Sequence, residues 1–486
     1  MKKRIYALLL TAILLLGSAS CADSGTENPE KTDESSSDAA SEVTTLSTID
    51  RLPDADFGGY EFNIFGEKLR DYYFVEEQTG EVVNDAIFER NQLVSERYNI
   101  KLNFNLVDWM TGNKQIEQNV LAGDNSYDLL TSTHLYLGNC LINGYFLDWS
   151  GIPHVDLSQD YYVKDANETY SIGDKTMLLF GDFMESTYRN CWIFLFNKEL
   201  AEQNKITDLY ATVDSGKWTI DYLTEIIKDT AQDLDGNTVY DKNDFYGLTL
   251  DRYGSVDSFV RALGLSAISK DENNYPVLDF YNEQTVDAYN KLYSLFHGAD
   301  GVYSKGEAFT TVNDFFVQDR CIFTSCLLEK LMDASIRDMK TDYGVLPFPK
   351  GSESQEKYLT YLDGTFSAQM IAITAPEENL ERTGIIVEAL NAYSHEYILP
   401  AVYDTSLKLK FTRDDDSSRM LDIILDGRSY SFDSFDENGF LLSPRKALRD
   451  GIQQDRESIS SYYDSVKVSC EEWIKNIIET YESANN

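Results

Sequence analysis

The sequence predicts an α/β protein built as two lobes that the chain joins through several crossings. Strand-like and helix-like segments alternate from residue 57 onward, and the alternation resumes after a change near residue 180. The 486 residues also exceed what a single hydrophobic core usually organises. Alternation of this kind is typical of parallel sheets with helices packed on them.

The first half shows a β-α-β-α-β series. Asn84 is a suitable N-cap for the first helix, in which apolar side chains recur at helical spacing. Residues 100–107 alternate strictly between apolar and polar side chains, as in a strand with one buried face. In order, the predicted elements are a strand at 60–65, a helix at 85–98, a strand at 100–107, a helix around 116–121 and a strand at 127–131.

The second half shows the same rhythm. WIFLFN at 192–197 is a continuous apolar strand, and Thr219 begins a helix that runs to Ile227. The remaining predicted strands lie at 247–250, 321–326, 343–349 and 368–374, and the remaining predicted helices lie at 255–263, 284–296, 380–394 and 466–482.

The N-terminus has the pattern of an exported protein. Three basic residues at 2–4 precede an apolar stretch at 5–16, and small residues at 17–20 lead into Cys21. The apolar stretch is shorter than the roughly 20 residues that a membrane-spanning helix needs. We therefore expect a signal peptide at 1–20.

The residues before Cys21 resemble the bacterial lipobox, in which the cysteine is lipidated and becomes the mature N-terminus. Ser18 stands where a leucine is usual, and ordinary secretion after an A-x-A-like site at 18–20 is the alternative. Residues 22–50 are rich in acidic and hydroxyl side chains, so residues 21–56 are predicted to be a lipidated cysteine followed by a flexible acidic tether. The protein is thus expected outside the cytoplasm, lipid-anchored to the bacterial cell membrane.

The charge of the chain narrows the choice of partners. Lys and Arg number 42 against 82 Asp and Glu, for a formal net charge of −40. Such a field repels phosphate backbones and anionic lipid surfaces. No nucleic-acid partner is expected, and membrane contact is expected through the lipid alone.

Besides Cys21 the chain has five cysteines, and their spacing fits no metal site. Because five is an odd number, at least one thiol stays free. Buried, reduced cysteines are the favoured interpretation, and a disulfide between Cys321 and Cys326 stays an open alternative.

Six segments, in order, resemble the family 1 extracellular solute-binding proteins, the lipid-anchored receptors of ABC importers that are broadly similar to maltose-binding protein. The likeness covers at least residues 57–430. Arg320–Cys321 stands where the family usually has Gly–Lys, and Gly216–Lys217 replaces a proline. The segments are NDAIFERNQLVSERYNIKL, NVLAGDNSYDLL, WIFLFNKELAEQNKI, KWTIDYLTEIIK, FFVQDRCIFTSC and YGVLPFPKG.

The resemblance implies a two-lobed periplasmic-binding-protein-like fold, whose lobes close by hinge movement on a small solute in the cleft between them. It implies a monomeric receptor, not an enzyme, that delivers a mono- or oligosaccharide to the ABC permease subunits in the membrane. We place the N-terminal lobe in 57–180 and about 300–355, and the C-terminal lobe in about 181–299 and 356–486.

Candidate ligand-binding residues follow the predicted strands, because open α/β sheets bind ligands at the carboxyl ends of their strands. Aromatic rings pack on the C–H faces of sugars, while carboxylates and amides bind the hydroxyls. Trp109 and Asp363 are the main candidates; core packing is the alternative for each aromatic residue, and Trp218 is expected to pack beneath the cleft. The candidates are Gly66, Glu67, Trp109, Ser132, His134, Tyr188, Asn190, Tyr253, Gly254, Cys326, Tyr361 and Asp363.

Residues 233–244, DLDGNTVYDKND, follow the ligand order of an EF-hand calcium loop. Thr238 stands where glycine usually makes the turn, and Asp244 is shorter than the usual bidentate glutamate. An acidic surface loop with Asp–Gly turn chemistry is therefore the alternative. A bound Ca²⁺ is expected to be structural, with no catalytic cofactor. The expected ligands are Asp233, Asp235, Asn237, the Val239 carbonyl, Asp241 and Asp244.

A secreted carbohydrate-acting hydrolase and a structural or adhesive surface lipoprotein are the alternative functions. The four histidines form no H-E-x-x-H pair, and the chain has no G-x-S-x-G elbow and no Walker loop. A glycosidase needs only two carboxylates, so that class stays open among 82 acidic residues. The ordered likeness to a binding family favours a receptor.

Overall fold

The structure is a computed structural model, and it describes residues 47–68, 74–306, 310–403, 413–435, 440–443 and 445–484. The predicted signal peptide, Cys21 and the first part of the predicted tether lie outside these residues. In the described part of the chain, no helix combines the length and the apolar character needed to cross a membrane.

Strands occur in both halves of the chain. They are β1 Tyr60–Glu67, β2 Ile100–Val107, β3 Leu129–Thr133, β4 Trp192–Asn197, β5 Tyr246–Asp251, β6 Ile268–Lys270, β7 Pro276–Leu278, β8 Val302–Gly306, β9 Cys321–Leu327, β10 Tyr343–Leu346, β11 Thr360–Tyr361, β12 Ser367–Met370 and β13 Arg428–Ser429.

Helices alternate with the strands and dominate the C-terminal quarter. They are α1 Val82–Tyr98, α2 Gly112–Leu121, α3 Gly138–Ile142, α4 Lys164–Tyr170, α5 Ser186–Arg189, α6 Lys198–Gln203, α7 Leu209–Asp214, α8 Ile220–Ile226, α9 Gly254–Ala262, α10 Glu283–Gly298, α11 Thr311–Asp314, α12 Ala334–Arg337, α13 Glu377–Pro400, α14 Asp415–Asp426, α15 Asp450–Gln453 and α16 Ser460–Ser483.

The first sheet has the strand order β12-β3-β1-β2. β1 runs parallel to β2 and β3, and β12 runs antiparallel to β3. β2 is an edge strand of which only Ile100 is fully buried, whereas every residue of the more central β3 is buried. This difference explains why β2 alternates strictly in sequence and β3 does not. We call this sheet, together with α1, α2 and α13, the first lobe.

The second sheet has the strand order β10-β4-β9-β5-β8. β4 runs antiparallel to both of its neighbours, and the other four strands are parallel to one another. Every residue of β4, β5 and β9 is buried, which explains their continuous apolar character. We call this sheet, together with α6, α8, α9, α10 and α14, the second lobe.

Aromatic side chains fill the core of the second lobe. The ring of Phe194 lies 4.9 Å from that of Phe348 and 6.0 Å from that of Trp218, both edge-on. Trp218 is completely buried and donates its indole N–H to the carbonyl of Pro347 at 2.8 Å. Trp218 therefore lies in the core, as expected.

The strands are distributed between the two sheets differently from the predicted partition. β8, β9 and β10 fall within residues 300–355, which were assigned to the first lobe, yet they belong to the second sheet because β9 inserts between β4 and β5. β12, assigned to the second lobe, pairs with β3 in the first. The reason is that hydrophobic periodicity shows which face of a strand is buried and carries no information on its pairing partner.

Candidate functional site

Two stretches of chain pass side by side between the lobes. Residues 181–191 lead from the first lobe into β4, and residues 361–367 lead from β11 back into β12; we call them the first and second crossings. The backbone N–H of Asp363 donates to the carbonyl of Asn190 at 2.8 Å, and the side-chain amide of Asn190 lies 3.3 Å from the Thr365 hydroxyl. The two crossings are thus hydrogen-bonded to each other.

Asp363 holds the second crossing against β4. One carboxylate oxygen accepts from the backbone N–H of Thr365 at 3.1 Å and from its hydroxyl at 2.6 Å, and the other accepts from the indole N–H of Trp192 at 3.5 Å. A Cβ on Gly254 would lie 1.9 Å from the Trp192 ring, so the start of α9 is in direct contact with that indole. Three predicted site residues, Asn190, Gly254 and Asp363, therefore meet around Trp192, which was not predicted as a site residue.

Tyr188 links the first crossing to β13. Its hydroxyl donates to Asp182 at 3.1 Å, and the guanidinium carbon of Arg428 lies 4.4 Å from the centre of its ring. Burial, and then the charge of Asp182, raise the pKa of Tyr188. Asp182 and Arg428 were not predicted, since nothing in the sequence connects positions that far apart.

Glu67 joins the carboxyl ends of β1 and β3. It is buried, and its carboxylate accepts from the Ser132 hydroxyl at 2.5 Å and from the backbone N–H and hydroxyl of Thr133 at 3.1 and 2.7 Å. A Cβ on Gly112, the first residue of α2, would lie 2.2 Å from a Glu67 carboxylate oxygen. The structure thus brings Glu67 and Ser132 together, next to Gly66, and gives their polar atoms partners within the protein.

His134 and Tyr361 line one small cavity between the lobes. His134 is completely buried, stacks on Phe366 at 4.0 Å, and places its Nε2 atom 2.9 Å from the Ser434 hydroxyl. The cavity has a volume of about 30 Å³, the space of one water molecule, and Arg261 is also part of its wall. In this conformation the cavity is too small for a sugar.

Trp109 and Tyr253 lie at the carboxyl ends of β2 and β5 and keep ring surface open to solvent. Trp109 is half-buried beside Tyr136, with ring centres 5.8 Å apart, and the side chain of Tyr253 is 41% exposed. Cys326, by contrast, is buried in β9 opposite Ile193, and burial raises the pKa of its thiol. Of the predicted residues at the strand ends, Tyr253 is exposed, and Trp109 is partly buried, as are Tyr361 and Asp363.

Two ionisable groups at the crossings and strand ends were not predicted. Asp251 ends β5 and is buried; burial raises its pKa to about 6, and it accepts from the backbone N–H of Tyr253 at 2.8 Å. Glu185 pairs with Arg189 at 3.1 Å within the first crossing, and burial raises the pKa of Glu185. The sequence signal for Asp251 is an acidic residue directly after a short apolar strand.

The predicted calcium loop is closed at its base by a bridge between Gln232 and Phe245. One carboxylate oxygen from each of Asp233, Asp235 and Asp244 lies within 4.8 Å of the others, a spacing that fits a single cation. Thr238 has φ of 66°, so it adopts the left-handed turn that glycine makes in EF-hand loops. Calcium binding stays a prediction.

Parts of the loop differ from an EF-hand. Tyr240, at the usual hydrophobic position, is 56% exposed, and the side-chain oxygen of Asn237 accepts from the backbone N–H of Val239 at 2.6 Å. The carbonyl of Asp241 accepts from the Tyr246 hydroxyl at 2.9 Å. Backbone hydrogen bonds, first that from Thr238, lower the pKa of Asp233.

A cavity of about 1200 Å³ runs along β8 at the edge of the second sheet. None of the crossing residues lines it. Its walls include Tyr303, His297 and Lys305, with Asp241 of the acidic loop at one end. This cavity and the predicted site residues around Trp192 therefore lie at two different places in the molecule.

No protein-family model and no curated protein matches the sequence significantly. Solved structures, however, match along nearly their whole length. A cyclic α-maltosyl-1,6-maltose binding protein from Arthrobacter globiformis is 11% identical with a TM-score of 0.58, covering 86% of this chain and 100% of its own. A family 1 extracellular solute-binding protein from Bifidobacterium longum subsp. infantis is 13% identical with a TM-score of 0.53, covering 88% and 100%.

A third similar structure is that of UgpB from Mycobacterium tuberculosis in complex with glycerophosphocholine. It is 12% identical with a TM-score of 0.53, and the match covers 86% of this chain and 99% of UgpB. At such identities the comparison establishes the fold and leaves the ligand to other evidence. The predicted likeness is confirmed at that level: the chain has the two-lobed α/β fold of the family 1 extracellular solute-binding proteins.

Proposed function

We propose that the protein is the solute-binding receptor of an ABC importer. A small solute enters the cleft between the lobes, the lobes close on it about the two hydrogen-bonded crossings, and the closed receptor delivers it to a membrane permease. The single observation that supports this most strongly is the shared fold, which extends over 98–100% of the length of solute-binding proteins such as a cyclo/maltodextrin-binding protein and the receptor from Arthrobacter globiformis.

The proposed solute is a mono- or oligosaccharide. Trp109 and Tyr253 offer accessible ring faces at strand ends, one in each lobe, and such faces suit the C–H surfaces of sugars. The net charge of −40 disfavours anionic solutes. Among the similar structures are complexes with the sugars cycloalternan, maltotetraose and α-D-tagatose, and one with the phosphodiester glycerophosphocholine.

The proposed anchor is a lipid on Cys21, which lies outside the described residues. A lipidated cysteine followed by an acidic tether holds a receptor near its permease while leaving it free to turn. Replacing Cys21 with serine is expected to release the protein into the medium, as a fractionation of cells and medium would show. If the variant stays with the membrane, the anchor is wrong.

The test of the receptor function is a thermal-shift screen over neutral mono- and oligosaccharides, with glycerophosphocholine and a sugar phosphate as charged comparisons. We expect a rise in melting temperature with a neutral saccharide, followed by recovery of the saccharide intact. Shortened products would show a hydrolase, and a protein that responds to none of the small solutes would favour an adhesive role. Calorimetric titration of the best saccharide into the wild type and into Trp109→Ala then tests whether Trp109 is part of the binding site.

A further inference from the structure

Four side chains connect the lobes through the first crossing. The Nδ1 atom of His395 lies 2.6 Å from one carboxylate oxygen of Asp182, and the Tyr188 hydroxyl donates to the other at 3.1 Å. The guanidinium carbon of Arg428 lies 4.4 Å from the centre of the Tyr188 ring. We call His395, Asp182, Tyr188 and Arg428 the hinge relay.

The two ends of the relay are attached to different lobes. His395 is in α13, which packs along α1 in the first lobe. Arg428 is in β13, which pairs with β11, and β11 contacts α9 and β4 of the second lobe. The Arg428 guanidinium also donates to the backbone carbonyl of Thr187 at 3.4 Å. A change in the angle between the lobes must therefore alter at least one contact of the relay.

The relay contains a buried acid and a histidine that solvent can reach. The side chain of Asp182 is 4% exposed and that of His395 is 31% exposed. A buried carboxylate is stable as an anion only when it is paired or hydrogen-bonded, and its interaction with a cation is stronger there than at the surface. Protons can thus enter and leave His395 while its partner remains enclosed by protein.

Three acidic groups act on the charge of His395. Asp182 approaches from the first crossing, Asp160 from the loop before α4, and Glu396 from the next position of α13. The hydrogen bond to Asp182 is the largest cause, and together these groups raise the pKa of His395 above its usual value near 6.5. Desolvation acts in the opposite direction and is outweighed.

We propose that protonation of His395 fixes the hinge, so that pH controls how freely the lobes move and thereby how tightly a solute is held. The consequence for the solute rests on the proposed function, whereas the movement of the lobes does not.

The direction of the pH effect follows from the difference between the pKa of His395 in the folded protein and in the unfolded chain. Because the pKa of His395 is higher in the folded protein than in the unfolded chain, the ion pair with Asp182 is fully present below about pH 6.5 and is lost as the pH rises through the folded value. A neutral imidazole can still donate one hydrogen bond to the Asp182 carboxylate, but the attraction between opposite charges is lost, so the contact is weaker. The hinge is therefore stiffer at acidic pH.

The experiment measures the distance between the lobes without any solute. The five cysteines in the described part of the chain are buried, so in a Cys21→Ser background a pair of spectroscopic labels can be placed at Leu121→Cys and Glu225→Cys, both exposed. We expect the distance distribution to shift and broaden as the pH rises from 5.5 to 8.5, with a midpoint above 6.5. His395→Gln, which keeps a hydrogen-bonding side chain, is expected to show no such response, and neither is Asp182→Asn.

His154→Gln is the matched control, since His154 is an exposed histidine 3.5 Å from Glu381 and away from the crossings. It should retain the response of the wild type. A wild-type distribution that does not change with pH, or an unchanged response in His395→Gln, would overturn the proposal. Because no solute is present, that outcome is distinct from a failure of the receptor function, which the saccharide screen tests.

Discussion

The predicted site residues at the paired crossings differ from those at the carboxyl ends of β2 and β5 in how much of each side chain the protein itself contacts. At the crossings, the carboxylate of Asp363 and the amide of Asn190 are hydrogen-bonded to protein groups, and the Glu67 carboxylate is enclosed in the same way between β1 and β3. At the strand ends, Trp109 and Tyr253 keep ring surface exposed. The polar residues therefore hold the frame of the cleft, while Trp109 and Tyr253 retain surface for a solute.

The largest expected effect comes from crowding the crossing. Gly254→Ala places a Cβ 1.9 Å from the Trp192 ring, which the enclosed indole cannot avoid, so the free energy of unfolding should fall by about 3 kcal/mol. Urea denaturation measures this fall. Gly298→Ala is the control, because a Cβ there meets nothing within 4 Å, and it should stay within about 1 kcal/mol of the wild type. Equal losses in the two variants would mean that the Trp192 contact is not rigid.

Asp251 should make the free energy of unfolding depend on pH. Its pKa is about 6 in the folded protein against 3.8 for a free aspartate, so the folded state keeps the proton that the unfolded chain releases. The stabilisation is present below about pH 4 and is lost as the pH rises to about 6, a change on the order of 2 kcal/mol. Urea denaturation of the wild type and of Asp251→Asn between pH 4 and 7 measures the difference. Parallel pH profiles would contradict this assignment.

Asp363 and Trp109 are expected to contribute to different properties, Asp363 to stability and Trp109 to saccharide binding. Asp363→Ala removes three hydrogen bonds and should lower the free energy of unfolding by about 1–3 kcal/mol. Trp109→Ala removes a half-buried ring beside Tyr136, so it should lower that free energy by only about 1 kcal/mol. It should weaken saccharide binding roughly tenfold. Urea denaturation and calorimetric titration of both variants test this. A larger loss of stability in Trp109→Ala together with a larger loss of affinity in Asp363→Ala would contradict it.

The smallest expected effect concerns the acidic loop. Millimolar calcium should raise the melting temperature by about 2 °C if the carboxylates of Asp233, Asp235 and Asp244 hold the ion. Asp233→Ala should abolish that rise, whereas Asp464→Ala, which changes an exposed aspartate of α16, should not. A calcium effect of the same size in both variants, or none in the wild type, would rule the site out.

Much of the fold was predictable because buried strands and amphipathic helices leave periodic signals. WIFLFN became β4 at the predicted residues, and the helices expected at 284–296 and 466–482 are α10 and α16 with longer ends. The sheet to which β8, β9, β10 and β12 belong was not predictable. Pairing depends on how distant segments meet, and periodicity does not record that.

The site was predictable in part. The rule that ligands lie at strand ends placed Asn190, Gly254 and Asp363 in one group, and the structure brings them together around Trp192. Trp192 itself lies inside a continuous apolar strand, so its indole N–H gave no signal of its own. Asp182 contacts His395, and Arg428 contacts Tyr188, both far away in sequence, and only the folded chain shows those contacts.

The proposed function requires the lobes to close on a small solute about the two crossings. Small-angle X-ray scattering on the purified protein, with and without a saturating amount of the saccharide that gives the largest thermal shift, measures closure directly. We expect a smaller radius of gyration with the saccharide, and no such change for Trp109→Ala at a concentration that saturates only the wild type. A radius that stays the same while the saccharide is bound would contradict it.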